Sequence, residues 1–193
     1  MTRPLGFSCT CGAIRGSIDN ATPRGGTHLV CHCADCRAAE LVLGQPDPAP
    51  EGVAIYQTTP DMIVLDSGAD RLGLMRLSPK GLLRWHAACC DAPLFNTLAR
   101  PGLPFVGVHV ARLDDPARIG PVVVHSFLPQ RDGGARHKGA GIMVWRMLSR
   151  MASARLSGRW RQTPFFDPAT GAPVAQARIL TKAERAAFAP SRG

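Results

Sequence analysis

The segment Cys31-His32-Cys33-Ala34-Asp35-Cys36 places three thiols within six residues, and a second close pair, Cys9-Thr10-Cys11, precedes it in the chain. Thiolates that hold Zn²⁺ must converge to about 2.3 Å from the ion. The spacings C-x-C and C-x-x-C bring sulfur atoms together on a tight turn at low entropic cost. The cysteine pattern therefore predicts a metal site.

Two further cysteines, Cys89 and Cys90, bring the total to seven. An odd number argues against a closed set of disulfides, and a bond between adjacent or next-but-one cysteines is strained away from its preferred geometry. Nothing in the sequence indicates an oxidising compartment. Metal binding is therefore favoured over disulfides, which stay the alternative.

The composition fits one ordinary domain with a proper core, since the 193 residues are 45% hydrophobic. The N-terminus lacks the apolar segment of a signal peptide. No stretch approaches the length of about eighteen uncharged apolar residues that a membrane span needs. The sequence therefore predicts a cytoplasmic protein without a membrane partner.

The chain is basic, with a formal net charge of +9. A zinc ion with four thiolates carries about −2 and one with three carries about −1, so two such sites would lower the charge to about +6. Residues 131–161 contain eight Arg or Lys against the single acid Asp132, which raises nucleic-acid binding as a hypothesis. Because no reading module or interleaved aromatic platform accompanies these charges, nucleic acid is not expected as a partner. The stretch is interpreted as a solvated basic face, with anion binding as the lesser alternative.

Short apolar or alternating runs, separated by turn residues, recur through the first two thirds of the chain and predict antiparallel β-strands. The predicted strands are residues 13–18, 53–57, 62–65, 72–77, 82–86, 105–110 and 122–127. Residues 44–52 hold three prolines and two glycines and predict a surface loop. The predicted fold class is mainly β.

The pattern changes to helical spacing from Gly141 to about Ser157, which predicts an amphipathic helix. Its apolar stripe is expected to dock on the β core: Val144, Trp145, Leu148 and Met151. Arg146 and Arg150 lie four residues apart on another face. Further on, Thr181-Lys182-Ala183-Glu184 has the form of a capping box and predicts a short helix to about Phe188.

Three cysteine-containing blocks follow one another in the chain: residues 9–15 (C-T-C-G-A-I-R), 31–37 (C-H-C-A-D-C-R) and 84–94 (R-W-H-A-A-C-C-D-A-P-L). In this order they resemble the glutathione-dependent formaldehyde-activating enzyme family, also called the centromere-protein-V or GFA domain. The pattern of that family is C-x-C-G-x-x-R, then C-x-C-x-x-C-R, then an aromatic-flanked C-x-x-C-G-x-P-L. Three ordered blocks are far more specific than a lone C-x-x-C.

The resemblance implies a small zinc-clasped antiparallel β-sheet, the β-tent of the GFA type, at residues 1–135. Residues 136–193 would then form a helical extension packed on the same domain. Two zinc ions are implied. The ligands of a structural site would include Cys9, Cys11 and Cys90, and those of a substrate-facing site with an open position would be Cys31, Cys33 and Cys36.

The third block departs from the family's pattern. Aligning Pro93-Leu94 puts Ala87 where the family has its first late cysteine and Asp91 where it has glycine. Cys89 is the nearest substitute, but neighbouring strand residues point to opposite sides, so Cys89 and Cys90 reach one ion only if the backbone turns there. We favour this pair, because thiolates predominate in such structural sites. His86 is the rival fourth ligand, and an altered, empty site is the third alternative.

The triple-cysteine cluster leaves one tetrahedral position for water or substrate, which is what distinguishes catalytic zinc from structural zinc. The alternative is a closed structural site in which His32, His28 or Asp35 supplies a fourth ligand. Arg15 and Arg37 follow the two metal motifs. As in the family, they are candidates for binding an anionic substrate or stabilising the thiolate-rich shell, and solvated arginines are the plain alternative.

Two functional hypotheses follow. The first is a zinc-dependent carbon–sulfur lyase of GFA type, which acts on the adduct of an aldehyde with a small thiol, glutathione being the family's nominal thiol. An incoming thiol would lose its proton at the open zinc position, and a nearby aldehyde would add to it. The second is a noncatalytic zinc-binding structural or interaction module whose basic C-terminal surface binds a partner.

Overall fold

A computed structural model of the chain describes residues 3–130 and 132–190, and the strands of these residues form two sheets. The smaller sheet has the order β1-β2-β5 and consists of Leu5–Ser8 (β1), Arg15–Ile18 (β2) and Ile63–Ser67 (β5). The larger sheet has nine strands: Thr27–Cys31 (β3), Val53–Thr58 (β4), Leu72–Arg76 (β6), Leu83–Ala87 (β7), Pro93–Thr97 (β8), Val106–His109 (β9), Val124–Pro129 (β10), Ala135–Lys138 (β11) and Ala177–Ile179 (β12).

The larger sheet is mixed. Its order is β11-β10-β3-β4-β9-β8-β7-β6-β12, and most neighbours are antiparallel. Strand β10 runs parallel to β3, however, and β12 runs parallel to β6. Parallel neighbours need a long connection between them, and both late strands return to the sheet after many intervening residues. The mainly β class is confirmed, whereas the wholly antiparallel arrangement is wrong at these two strands.

Three α-helices accompany the sheets in the described residues: Ala34–Val42 (α1), Ala140–Leu156 (α2) and Lys182–Ala187 (α3). The sequence predicts α2 and α3 but not α1. The predicted capping box is present at α3, where the Thr181 side chain accepts from the Glu184 N–H and the Glu184 side chain accepts from the Thr181 N–H. No helix of the described residues has the length and apolar character needed to cross a bilayer.

The main core contains side chains of both sheets. The ring of Phe7 in β1 meets the ring of Phe95 in β8 edge to face, with centroids 5.2 Å apart. Phe165 and Phe166, from the segment after α2, pack against Trp85 of β7 with centroids 5.2 and 6.4 Å away. Aromatic contacts of this kind bury large apolar areas, so segments far apart in the chain share one core.

The other face of the large sheet carries α1 and α2. Ile55 and Tyr56 are neighbours in β4 but belong to different apolar clusters, because successive side chains of a strand point to opposite faces. Tyr56 joins the main core, and Ile55 packs with Leu29 and the helical Met143. This second face also holds Cys31 and Cys36, so the strand alternation decides which face carries the triple-cysteine cluster.

Helix α2 packs with the face opposite to the expected one. Three of the four predicted docking residues are largely exposed, namely Val144 (43%), Trp145 (74%) and Leu148 (53%), whereas Met151 is half-buried. Arg146 instead donates to the carbonyl oxygen of Pro23 (3.2 Å), and Arg150 donates to Thr27 Oγ1 (2.8 Å). The prediction of a docked apolar stripe is therefore wrong for these three exposed residues, since acceptors at the start of β3 and in the turn before it bind the arginine face. Arg131 of the basic stretch lies outside the described residues.

Gly26 lies against the buried ring of Tyr56, and a Cβ added there would be 2.2 Å from Tyr56 Cζ. Gly26→Ala is therefore expected to lower the free energy of unfolding by about 1–3 kcal/mol, because overpacking a filled core displaces side chains or backbone. The midpoint of urea unfolding measures this change. Gly141→Ala in α2 is the matched control, since its added Cβ meets nothing within 4 Å. Equal losses in the two variants would contradict the prediction.

Candidate metal centres

The first cysteine cluster joins the two sheets. It consists of Cys9 and Cys11, which follow β1, and Cys89 and Cys90, which lie between β7 and β8. The Sγ of Cys11 is 3.6 Å from that of Cys9 and 3.3 Å from that of Cys89. All four sulfur atoms lie within 4.8 Å of one another. A tetrahedral zinc site with Zn–S bonds of about 2.3 Å needs S–S separations of about 3.8 Å, so this cluster fits a four-thiolate ion site.

The backbone turn that Cys89 and Cys90 require is present. The N–H groups of Cys90 and Asp91 both donate to the carbonyl oxygen of Ala87, at 3.2 and 2.8 Å. Asp91 has a left-handed φ of 52°, a conformation that Asp tolerates better than most residues. Its backbone thus takes a left-handed conformation, which glycine also adopts readily. The described cluster does not include His86.

The thiols of the first cluster are unequal in acidity. Burial alone would raise the pKa of Cys9, but hydrogen bonds from the Ile14 N–H and from Cys11 bring it down to about 6. The hydrogen bond between Cys89 and Cys11 is the main reason why the pKa of Cys89 rises to about 12. Without a cation, Cys9 is therefore a much stronger acid than Cys89. A divalent cation would displace the remaining protons.

The second cysteine cluster lies where β3 passes into α1. Cys31 is the last residue of β3, Cys33 is the N-cap of α1, and Cys36 lies in the first helical turn. The sulfur of Cys33 accepts from the Cys36 N–H at 3.3 Å and lies 3.3 Å from the sulfur of Cys31. All three sulfur atoms are within 4.8 Å of one another. The strand end and the helix cap thus make the three thiols converge.

No fourth ligand completes this second cluster among the described residues. The ring of His28 bonds through Nδ1 to the carbonyl oxygen of Gly120 (2.7 Å). Asp35 forms an ion pair with Arg185 (2.7 Å). The ring of His32 stacks on another histidine ring, with centroids 5.9 Å apart. The cluster therefore has the three-ligand form of a zinc site with an open position.

One thiol of the second cluster is strongly acidic. Hydrogen bonds from Cys31 and Cys36 lower the pKa of Cys33 to about 2, and the positive charge of Arg84 adds to the effect. The pKa of Cys31 rises to about 11, chiefly because its thiol donates to Cys33. That of Cys36 is raised for the same kind of reason. The metal-free cluster thus holds its negative charge on Cys33, which favours binding of a cation.

A cavity of about 430 Å³ opens beside the second cluster and is lined by all three of its cysteines. This volume falls within the range of small-molecule sites. Most of the other lining side chains are apolar: Leu29, Ile55, Leu82, Leu98, Phe105, Phe127, Met143 and Met147. The cluster therefore faces a pocket large enough for a small organic ligand.

A row of four residues crosses the sheet beneath this cavity. Gln57 of β4 pairs with Gly107 of β9, Gly107 pairs with Asn96 of β8, and Asn96 pairs with Arg84 of β7. Directly paired residues place their side chains on the same face, and all four line the cavity. Gly107 contributes no side chain, so the row is open at its centre.

A chain of hydrogen bonds fixes two polar side chains of the row, Arg84 and Asn96. Arg84 Nη1 donates to Asn96 Oδ1 (3.3 Å), and Asn96 Nδ2 donates to His109 Nε2 (3.2 Å). The other ring nitrogen of His109 lies 3.2 Å from Glu40 Oε1 in α1. All four residues are buried. Glu40 of α1 is thus connected, through His109 and Asn96, to the guanidinium of Arg84 and helps to fix its orientation.

Two polar groups of the cavity wall keep bonding capacity for a ligand. Arg84 is 6% exposed, and within the described residues it has no carboxylate partner in an ion pair. Gln57 is also buried, and its Oε1 has no hydrogen-bond partner within that part of the chain. A buried donor or acceptor without a partner costs free energy. Sequence spacing gave no signal for these residues, because only strand register brings them together.

The two arginines expected at the substrate lie elsewhere. Arg15 donates through Nε to the carbonyl oxygen of Gly12 (2.9 Å), next to the first cluster. Arg37 forms a two-point ion pair with Asp47 in the proline-rich loop, at 2.9 and 2.7 Å. Neither residue is among those that line the cavity beside the second cluster. Their binding of a substrate stays a prediction, and Arg84 is the guanidinium of the cavity wall.

The fold and the two clusters define a mainly β protein with two cysteine sites that are compatible with metal ions, zinc being a plausible one. The chain belongs to a family of unknown function, DUF6151, whose model matches residues 1–178. No curated protein matches the chain. The crystal structure of a Rhodobacter sphaeroides protein is similar with a TM-score of 0.43 and 19% sequence identity, over 61% of this chain and 96% of that one.

Proposed function

We propose that this protein is a zinc-dependent enzyme of the carbon–sulfur lyase type, which makes or breaks the bond between a thiol sulfur and the carbon of an aldehyde. One observation carries the proposal. The three thiols of Cys31, Cys33 and Cys36 converge without a fourth ligand from the described residues, and they face a cavity. The resemblance of the three cysteine blocks to the GFA pattern supports the same reaction class and a GFA-type β-tent.

The two clusters would have different roles. Cys9, Cys11, Cys89 and Cys90 would hold a structural zinc, because four thiolates close a tetrahedral site. Cys31, Cys33 and Cys36 would hold the second ion. Zinc bound there would act as a Lewis acid that favours the thiolate form of a thiol at neutral pH.

The polar row of the cavity would act on the aldehyde. When sulfur adds to the carbonyl carbon, one C–S bond forms, the C=O bond becomes a C–O single bond, and the thiol proton ends on oxygen. The guanidinium of Arg84 would donate to this oxygen, where negative charge develops in the transition state. Asn96 holds the guanidinium in place, and cleavage of the adduct follows the same path in reverse.

The alternative is a noncatalytic zinc-binding module whose basic C-terminal part binds a partner. One observation favours it: α2 carries Trp145, 74% exposed, and four other exposed large apolar side chains, Ile142, Val144, Leu148 and Leu156. Exposed apolar patches of this kind often mark interaction sites. Under this alternative, both metal ions would only stabilise the fold.

A cysteine substitution separates the two proposals. Cys33→Ser is expected to reduce the zinc content from two ions per chain to one and to abolish catalysis of hemithioacetal formation from formaldehyde and a small thiol. The melting temperature should fall by only a few degrees, because the first cluster stays intact. Elemental analysis, exchange NMR of the thiol and formaldehyde, and thermal unfolding provide the three readings, on protein purified without added metal.

The matched control for this test is Ala34→Ser. Ala34 is exposed and lies between two of the cysteines, so the change adds a hydroxyl group without removing a sulfur. It should leave zinc content and catalysis unchanged. Loss of both ions and unfolding of Cys33→Ser would favour the noncatalytic module, and a wild-type chain without metal would overturn both.

A further inference from the structure

The cavity beside the second cluster has an uneven distribution of polarity. Its polar side chains lie close to the cysteines and along the row of Gln57, Asn96 and Arg84. The remaining walls consist mainly of Leu, Ile, Phe and Met side chains from strands, loops and α2. A ligand that fills this space would therefore meet polar groups at one end and hydrocarbon over the rest of its surface.

The cavity wall offers little charge for a highly charged ligand. Apart from the cysteines, the ionisable residues among its described lining are Asp35 and Arg84. Asp35 is already paired with Arg185. Glutathione carries two carboxylates and one ammonium group, and Arg84 alone could pair with just one of these carboxylates. Placing the other charges against apolar walls would cost desolvation free energy without a compensating partner.

Met143 and Met147 lie one helical turn apart on α2 and form part of the apolar wall. Methionine side chains are unbranched and polarizable, so they adapt to apolar groups of different shape. The unpartnered Oε1 of Gln57 can accept a hydrogen bond from a ligand, and the guanidinium of Arg84 can donate a hydrogen bond to a ligand. Each of these groups suits the hydroxyl group of an aldehyde–thiol adduct, which can donate to Gln57 or accept from Arg84.

We propose that the substrate of this site is an adduct whose thiol carries an uncharged, apolar body, aliphatic or aromatic, in place of a charged peptide thiol such as glutathione. The inference rests on the proposed function for the placement of the sulfur at the second cluster. It goes beyond that function because the walls of the cavity, and not the metal ligands, select the substrate.

Binding to the zinc-loaded protein, measured by isothermal titration calorimetry, tests the inference with three probes. 2-Phenylethanethiol is expected to bind at least about tenfold more tightly than glutathione, a difference of about 1.4 kcal/mol. 2-Phenylethanol, which lacks the thiol, should bind weakly but measurably and should compete with 2-phenylethanethiol. Met147→Glu should weaken binding of 2-phenylethanethiol about tenfold or more, because it places a carboxylate in the apolar wall.

The matched control is Met151→Glu, at a half-buried position of the same helix that lines a different surface cavity. It should bind 2-phenylethanethiol like the wild type. Tighter binding of glutathione, or equal losses in the two glutamate variants, would overturn the inference and leave the proposed function standing. If 2-phenylethanol binds and neither thiol binds more tightly than it does, the proposed function fails, and this inference about its substrate fails with it.

Discussion

Replacing Cys89 by serine is expected to destabilise the protein by about 4 kcal/mol or more, although the side chain is exposed. Surface substitutions usually change stability by less than about 0.5 kcal/mol, whereas loss of a structural metal belongs to the small class of severe changes. Cys89 lies 78 residues from Cys11 in sequence, and their sulfur atoms are 3.3 Å apart. An ion held by both cysteines would tie β1 to the turn between β7 and β8, and so one sheet to the other. Urea unfolding measures the loss of stability, and elemental analysis measures the loss of the metal ion.

Thr10→Ser is the matched control for Cys89→Ser. Thr10 lies between two cysteines of the first cluster, and its hydroxyl accepts from Arg112 Nη1 at 2.6 Å, a bond that serine can keep. This variant should unfold at the wild-type midpoint. A strong chelator should destabilise the wild type toward the level of Cys89→Ser and change the variant much less. Wild-type stability and two zinc ions in Cys89→Ser would contradict a structural site at this cluster.

Seven of the twelve strands in the described residues were predicted from the sequence, because their signals are local, whereas β1, β3, β8, β11 and β12 were missed. Apolar runs separated by turn residues gave β4 as residues 53–57 against the observed Val53–Thr58, and β6 as 72–77 against Leu72–Arg76. The capping box gave α3 for the same reason, since its bonds join residues three apart. Helix α1 was missed because its N-cap is the sulfur of Cys33 and not one of the usual capping residues Ser, Thr, Asp and Asn.

The packing of α2 could not be predicted in this way. Its apolar spacing indicated the helix correctly but suggested the wrong buried face. What decides the orientation is the surface that it meets, where the carbonyl of Pro23 and the hydroxyl of Thr27 accept hydrogen bonds from two arginines. Long arginine side chains can also cover apolar surface with their methylene groups. Periodicity therefore predicts a helix more reliably than the partner of each of its faces.

The cysteines of the candidate site could be predicted from their spacing, but the polar cavity wall formed by Gln57, Asn96 and Arg84 could not. The turn at Cys89 and Cys90 depends on the left-handed backbone of Asp91, which spacing alone leaves open. Arg84 and Gln57 are 27 residues apart in sequence, and three successive strand pairings place them in one row. Such registers are set by long-range pairing. Arg15 and Arg37 stood out because they adjoin the motifs, although the cavity wall contains a different arginine.

Arg84→Met is expected to lower the turnover of the proposed reaction by about 100- to 1,000-fold, the usual effect of removing one donor to a developing oxyanion. Methionine keeps much of the side-chain length without charge or donors. The Michaelis constant should change little, because an interaction made mainly in the transition state affects kcat. Stability should fall by about 1–3 kcal/mol, since Asn96 Oδ1 loses its donor. Steady-state kinetics on zinc-loaded protein measures kcat and the Michaelis constant separately, and urea unfolding measures the change in stability.

Arg76→Met controls for the loss of a guanidinium from the same sheet. Arg76 is half-buried at the end of the neighbouring strand β6 and donates to the carbonyl oxygen of Gly81 at 2.9 Å, away from the lining of the cavity. It should retain wild-type turnover, and Arg84→Lys should recover part of the loss because a cation returns without the planar fork. If Arg84→Met matches Arg76→Met in kcat, Arg84 serves the fold and does not act on the substrate. A loss in kcat that Arg84→Lys partly reverses, at unchanged zinc content, would place the guanidinium at the reacting oxygen.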